Sequence, residues 1–255
     1  MATNTVYLIT GANRGIGQQL TSTLLVRPHT TVIATVRNPS TSSHLLTRLE
    51  VGEGSRLVVA GLEVSGVRTG DIETATKTLY ASLKEKEGVK KIDVLVANAG
   101  FCSPKDFLSV TSTPLENMAA SFHINAIGPV ALFQALRPLL MESENAKFIV
   151  ISSSLGSIAH MEGPVPSAAY GMAKAAVNYA VRKVHFEEAS ITAMALHPGW
   201  VKTDNGQTFA DAVGAREPPM TLERSVEGVL KQIDGATKEG TSGGFVSYDG
   251  QVIAF

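Results

Sequence analysis

Short β-rich apolar runs alternate with longer segments of helical period along the whole of this 255-residue chain, and few folds accommodate such a pattern. The candidate strands are Val6–Thr10, Thr31–Val36, Arg56–Leu62, Asp93–Ala97, Lys147–Ser152, Ile191–Leu196 and Phe245–Tyr248. Between them Gln18–Val26, Thr74–Lys86, Leu115–Met141, Ala168–Glu188 and Leu222–Ile233 have room for helices. Strands that alternate with helices imply right-handed crossovers and a parallel sheet covered on both faces. The expected fold class is therefore α/β, a doubly wound parallel sheet of about seven strands flanked by helices, in a single domain over residues 1–255. Asn38–Ser43 and Gly235–Gly244 read as loops, and residues 203–220 contain Gly and Pro and read only weakly as helix.

Composition narrows the class of function. With 44% hydrophobic and 18% charged residues the chain can bury a full core, and a formal charge of −1 without a long basic block argues against a nucleic-acid or anionic-membrane partner. The expected partner is a small molecule. Cys102 is the only cysteine, so no intrachain disulfide or cysteine metal cluster forms, which suits a reducing, cytoplasmic setting. The start of the chain has no basic region, the apolar run Val6–Ile9 is too short for a signal sequence, and nowhere do eighteen apolar residues follow one another. His123, His160, His185 and His197 form no ligand spacing with cysteine or carboxylate, so no metal is expected; they read as surface or core histidines, with His160 near the mouth of the site. A Ser/His hydrolase is disfavoured because no Gly-x-Ser-x-Gly elbow is present.

In a sheet of this kind ligands sit beyond the carboxyl ends of the strands. After the first strand comes Thr10-Gly-Ala-Asn-Arg-Gly-Ile-Gly17. Glycines there let a tight turn approach a pyrophosphate while a helix N-terminus points its N–H groups at it. The spacing, Gly-x-x-x-Gly-x-Gly, is compatible with a plain turn, but its place between a strand and a helix points to a dinucleotide. At the end of the second strand, where an acid would receive the ribose of NAD, stands Thr35-Val-Arg37. Arg37 and Arg14 together would clamp a 2′-phosphate; the bland alternative is two solvated arginines.

Tyr170 and Lys174 lie four apart in a segment that reads as helix, so both side chains share a face. A phenol is a poor acid at neutral pH, and a fixed ammonium beside it favours the phenolate. Other polar residues fall at strand ends: Asn98-Ala-Gly100 after the fourth and Ser152-Ser-Ser154 after the fifth, each of which is also compatible with a turn. Asn125 interrupts an apolar helical run and needs a hydrogen-bond partner there. After the sixth strand His197-Pro-Gly-Trp-Val-Lys-Thr203 would carry the chain back across the site mouth.

Taken together, these motifs resemble the short-chain dehydrogenase/reductase family, in the form that carries Gly-x-x-x-Gly-x-Gly and Tyr-x-x-x-Lys, over almost the whole chain. Within it the chain is similar to the small, sniffer-like carbonyl reductases, through His197-Pro-Gly-Trp-Val-Lys-Thr-Asp204. It also resembles fungal norsolorinic acid ketoreductases, through Thr5-Val-Tyr-Leu-Ile-Thr-Gly11, Ala180–Glu187 and Ala236–Gly243. The resemblance implies a Rossmann-type NADP-binding catalytic domain with Asn125, Ser153, Tyr170 and Lys174 as the catalytic set, Ser154 being the alternative serine. It implies cofactor contacts from Gly11, Asn13, Arg14, Gly15, Ile16, Gly17, Arg37, Glu63, Val64, Asn98, Ala99, Gly100, Tyr170, Lys174, Pro198, Gly199, Val201 and Thr203.

By the same resemblance Tyr170 is the general acid in hydride transfer from NADPH to a carbonyl, and Ser153 binds the carbonyl oxygen. Lys174 lowers the Tyr170 pKa and holds the nicotinamide ribose, and Asn125 supports a water that relays a proton to Lys174. The chain departs from the family pattern at Glu63, where an aspartate usually meets the adenine, and in a longer segment before Tyr170 that contains Gly163-Pro-Val-Pro166. Met161, Pro164, Trp200, Phe209 and Met220 are expected at the mouth, a lining for a bulky apolar ketone of aryl or polyketide type; the alternative is that Phe209 and Met220 only pack their segment onto the core. A homodimer or homotetramer is expected through Leu115–Met141 and Ala168–Glu188. A general carbonyl-detoxifying reductase, and a redox-silent cyclase or NADP sensor on the same fold, are the alternatives.

Overall fold

The computed structural model describes residues 4–40, 46, 48–64 and 69–255. Seven strands, β1 (Thr5–Thr10), β2 (Thr30–Val36), β3 (Arg56–Gly61), β4 (Val94–Ala97), β5 (Lys147–Ile151), β6 (Thr192–His197) and β7 (Phe245–Ser247), form one sheet in the order β3-β2-β1-β4-β5-β6-β7. Every pairing is parallel, and each strand lies within one or two residues of its expected position. The helices are α1 (Gly15–Leu25), α2 (Thr69–Glu85), α3 (Leu115–Phe122), α4 (Gly128–Leu140), α5 (Ala168–Glu187), α6 (Asp204–Ala212) and α7 (Leu222–Gly235).

The central strands are apolar on both faces because both are covered. Leu8, Ile33, Leu95 and Phe148 point into a core closed by Leu132 and Leu136 of α4 and Val177 and Val181 of α5. Their neighbours Ile9, Val32, Val96 and Ile149 point into a second core closed by Leu20 and Leu24 of α1 and Val226 and Val229 of α7. Leu8 is fully buried, and Leu8→Ala would cost about 2–5 kcal/mol. The run Leu115–Leu140 is apolar and long enough to cross a membrane by composition, but its stripe of Leu132, Leu136, Leu139 and Leu140 is buried against the sheet.

Three local expectations change. The single helix expected over 115–141 is split by a π-helical turn at His123–Ile127, and Pro129 denies the Asn125 carbonyl the i+4 N–H of an α-helix. The weakly helical stretch after Thr203 contains α6, whose first turn is capped by the Thr203 hydroxyl accepting the Gly206 N–H at 3.0 Å. Of the loop expected at 38–43, Pro39 and Ser40 are already helical behind Asn38, which accepts the Ser40 N–H at 3.1 Å; residues 41–43 lie outside the described residues.

Candidate active site

Connections from β1 lead toward β2 on one side while β4 lies on the other, so the strand order reverses between β1 and β4 and opens a crevice there. Thr10 and Asn98 close its floor. The Thr10 hydroxyl accepts the N–H groups of Asn98 (3.0 Å) and Ala99 (2.8 Å), and the Asn98 amide donates to the Thr10 carbonyl at 2.8 Å. Above them a cavity of about 1180 Å³ runs from Thr35 and Arg37 past the glycine turn to Tyr170 and Trp200.

Gly11 (φ +66°) and Gly15 (φ +54°) adopt the left-handed conformation that the turn requires. Gly17 is needed for a different reason: a Cβ there would lie 2.3 Å from the Gly11 carbonyl oxygen, so only glycine lets α1 come this close to β1. No side chain caps the start of α1 and no acid stands in its first turn, which leaves its N–H groups facing the cavity with the sign an anion needs. The Thr35 hydroxyl at the far end is buried without a hydrogen-bond partner. These residues fit a dinucleotide: uncapped N–H groups for a polyphosphate, arginines at the adenosine end and an orphaned hydroxyl between them.

The arginines do not stand alone as expected. Arg14 pairs with Asp204 at 2.7 Å and Arg37 with Glu63 at 2.9 Å, all four groups being largely exposed. Exposed pairs of this kind are weak, so each arginine can exchange its carboxylate for a phosphate. Glu63, expected at the adenine, lines the cavity and is the carboxylate paired with Arg37.

At the other end Tyr170 and Lys174 occupy the first and second turns of α5, Lys174 Nζ standing 5.5 Å from the Tyr170 ring centroid and donating to the Ile151 carbonyl at 2.8 Å. Lys174 is buried and Tyr170 partly so, and both line the cavity. Burial holds Lys174 down to about 8 and pushes the Tyr170 phenol well above its usual value, with Cys102 and Asp106 adding to the rise. The direction is opposite to the depression expected from Lys174, because desolvation of the phenolate is the largest influence on the phenol. The phenol keeps its proton at neutral pH, which is the state a proton donor needs.

Of the three serines, Ser152 is occupied, donating to Asn178 at 2.6 Å. Ser153 and Ser154 both line the cavity, the Ser153 hydroxyl accepting the Leu155 N–H at 3.3 Å. Asn125 is completely buried and does not line the cavity. Its amide donates to the carbonyls of Phe101 (2.9 Å) and Ser121 (3.1 Å) and accepts the Phe101 N–H at 3.2 Å, so its side chain ties the π turn to the segment after β4 rather than facing the cavity.

The other expected contacts, Asn13, Ile16, Val64, Gly100, Pro198, Gly199, Val201 and Thr203, all line the cavity. At the mouth Trp200 and Phe209 face it, but Met161 is exposed, Pro164 lies outside it, and Met220 packs under Gly199, where a Cβ would meet its thioether at 2.6 Å. Glu162 and Val165 represent the inserted segment instead. His160 is exposed and away from the lining. Cys102 lines the cavity, but burial and Asp106 push its thiol up to about 12.

The model of the short chain dehydrogenase family matches residues 5–213. The chain belongs to that family. The chain is 42% identical over 245 residues to a norsolorinic acid ketoreductase of Aspergillus parasiticus, covering 95% of this chain and 88% of that one. Among solved structures it is similar to an NADPH-bound carbonyl reductase from chicken fatty liver, with a TM-score of 0.83 and 29% identity over 100% of this chain and 96% of that one. It is also similar to the carbonyl reductase Sniffer of D. melanogaster, with a TM-score of 0.82 and 25% identity over all of both chains.

Sequence reading missed Phe107, whose buried ring stands 5.8 Å from that of Tyr170 and 5.1 Å from that of Phe209, which in turn lies 5.0 Å from Trp200. The chain thus carries an aromatic wall beside the phenol. Only the turn sequence Ser103-Pro-Lys-Asp-Phe107 marks the place, and nothing in it says where the ring will point.

Proposed function

We propose that this dehydrogenase is an NADPH-dependent ketoreductase that reduces a bulky, largely apolar ketone of aryl or polyketide type to the alcohol, with Tyr170 as general acid. The observation that carries the reading is the protonated, partly buried Tyr170 phenol flanked by Phe107 and Lys174 in the same cavity that the glycine turn opens at its other end. NADPH bound there supplies hydride to the carbonyl carbon. The residues of the α1 turn bind its phosphates, and Arg14 and Arg37 take the 2′-phosphate in exchange for Asp204 and Glu63. Ser153 holds the carbonyl oxygen where negative charge develops, and Tyr170 delivers its proton to that oxygen. Lys174, tethered by the Ile151 carbonyl, orients the ribose and returns a proton to Tyr170. Phe107, Phe209 and Trp200 orient a flat substrate and exclude water.

The ketoreductase name of the Aspergillus relative supports a polyketide ketone, and the carbonyl reductase neighbours favour a second reading, a general carbonyl-reducing enzyme. Cytoplasmic residence accords with the single, buried cysteine. The purified protein with NADPH, offered an anthraquinone or naphthyl ketone, a short aliphatic aldehyde and a charged 2-keto acid, separates these readings at the nicotinamide absorbance. The aryl ketone is expected to have the highest kcat/KM; equal rates on all carbonyls would favour the second reading, and no turnover with any would overturn both.

A further inference from the structure

Strands β5 and β6 end in a backbone pair in which the Ser152 N–H donates to the Leu196 carbonyl at 2.8 Å. Beyond it a side chain continues the ladder: the Ser154 N–H donates to His197 Nδ1 at 3.2 Å. On its other flank the His197 carbonyl accepts the Tyr248 N–H at 2.8 Å, so its backbone serves β7 while its ring serves the end of β5. Burial holds this histidine down to about 4, against the pull of Asp249, so the ring is neutral at pH 7. Because Nδ1 accepts, the proton sits on Nε2. The turn that the ring holds presents Ser153 to the cavity and packs Gly156 against Lys174, where a Cβ would lie 2.8 Å from Lys174 Cβ.

We propose that His197 is the positioning residue of the Ser153 turn, its Nδ1 fixing where the Ser153 hydroxyl stands relative to Tyr170. The proposal rests on the ketoreductase reading above. Without the ring, the Ser154 N–H at the cavity wall loses its acceptor, and the turn is held only at its flanks, by the Ser152 hydroxyl on Asn178 (2.6 Å), the Asn178 amide on the Gly156 carbonyl (3.4 Å) and the Ser157 hydroxyl on the Ala254 carbonyl (2.6 Å). A turn free to shift by a fraction of an ångström misplaces an oxyanion donor without touching the cofactor cradle, so the loss falls on kcat.

Two variants separate positioning from bulk stability. His197→Asn keeps an acceptor at the same distance from Cα, and His197→Leu removes it at similar volume. In ketone reduction His197→Leu should lower kcat about 10- to 100-fold, with the KM for ketone and the affinity for NADPH, read by its fluorescence, changed less than about threefold. His197→Asn should restore kcat to within about threefold of the unmodified protein. Wild-type kcat in His197→Leu, or equal losses in both variants, would overturn the proposal. Independently of turnover, 15N NMR of the imidazole should show the Nε2–H tautomer, and hydrogen exchange at the Ser154 amide should quicken in His197→Leu. An Nδ1–H tautomer would overturn the proposal even if His197→Leu fails to fold. Should the unmodified protein reduce no ketone, the ketoreductase reading fails, while the NMR measurement still decides the His197–Ser154 link.

Discussion

Lys174 is fixed by Ile151: its Nζ donates to that carbonyl at 2.8 Å, at the last residue of β5, and holds 5.5 Å from the Tyr170 ring centroid. The end of a strand thus sets the ammonium's position, and burial lowers its pKa to about 8. For a lysine, a lowered pKa means that charge is lost on the alkaline side. At pH 7 most Lys174 side chains are charged, and the fraction falls as pH rises through about 8. Reductive kcat should therefore be level from pH 6 to about 7 and decline above 8. A rate that keeps rising to pH 10 would remove Lys174 from the proton path.

The Arg37–Glu63 and Arg14–Asp204 pairs predict a preference for NADPH. Exchanging an exposed carboxylate for a 2′-phosphate should be worth about 1.5–3 kcal/mol, a ten- to hundredfold advantage in kcat/KM over NADH. Arg37→Asp should erase or reverse it. Equal efficiency with both cofactors in the unmodified protein would sink the phosphate-clamp reading.

Phe107 bridges Tyr170 and Phe209, so its loss should cost aromatic substrates most. Phe107→Ala should lower kcat/KM for a naphthyl ketone by about ten- to a hundredfold, through lost ring contact of about 1.5–3 kcal/mol. A short aldehyde should change by less than about threefold. Equal losses on both substrates would mean that Phe107 serves only to pack the turn.

Met172 (56% exposed), Tyr179 (70%) and Phe186 (67%) repeat every seven residues along one face of α5, which leaves an apolar stripe on the surface. The expected state is a dimer or tetramer through this face. Sedimentation at micromolar concentration should show it, and Tyr179→Glu should shift it to monomer. A clean monomer in the unmodified protein would count against the interface.

Buried parallel strands were legible because both faces are covered and the runs are continuously apolar, as in Val94-Leu-Val-Ala97. Tyr170 and Lys174 were legible because helical spacing alone brings them to one face. The acid partners of the arginines were not: Asp204 lies 190 residues from Arg14, and their meeting depends on where α6 docks. The π turn at Asn125 was hidden because the apolar period runs through it, with Pro129 the only signal. The Tyr170 shift was misjudged because spacing reports a neighbouring charge but not the burial that opposes it. His197 read as a bystander because its bond to Ser154 spans two strands.

The most direct test of the account is Tyr170→Phe, which keeps the ring against Phe107 and removes the proton. NADPH binding, measured by fluorescence titration, should stay within a few-fold of the unmodified protein, while reduction of an aryl ketone falls by about two to four powers of ten. Near-normal turnover in Tyr170→Phe would contradict the assignment of Tyr170 as the general acid.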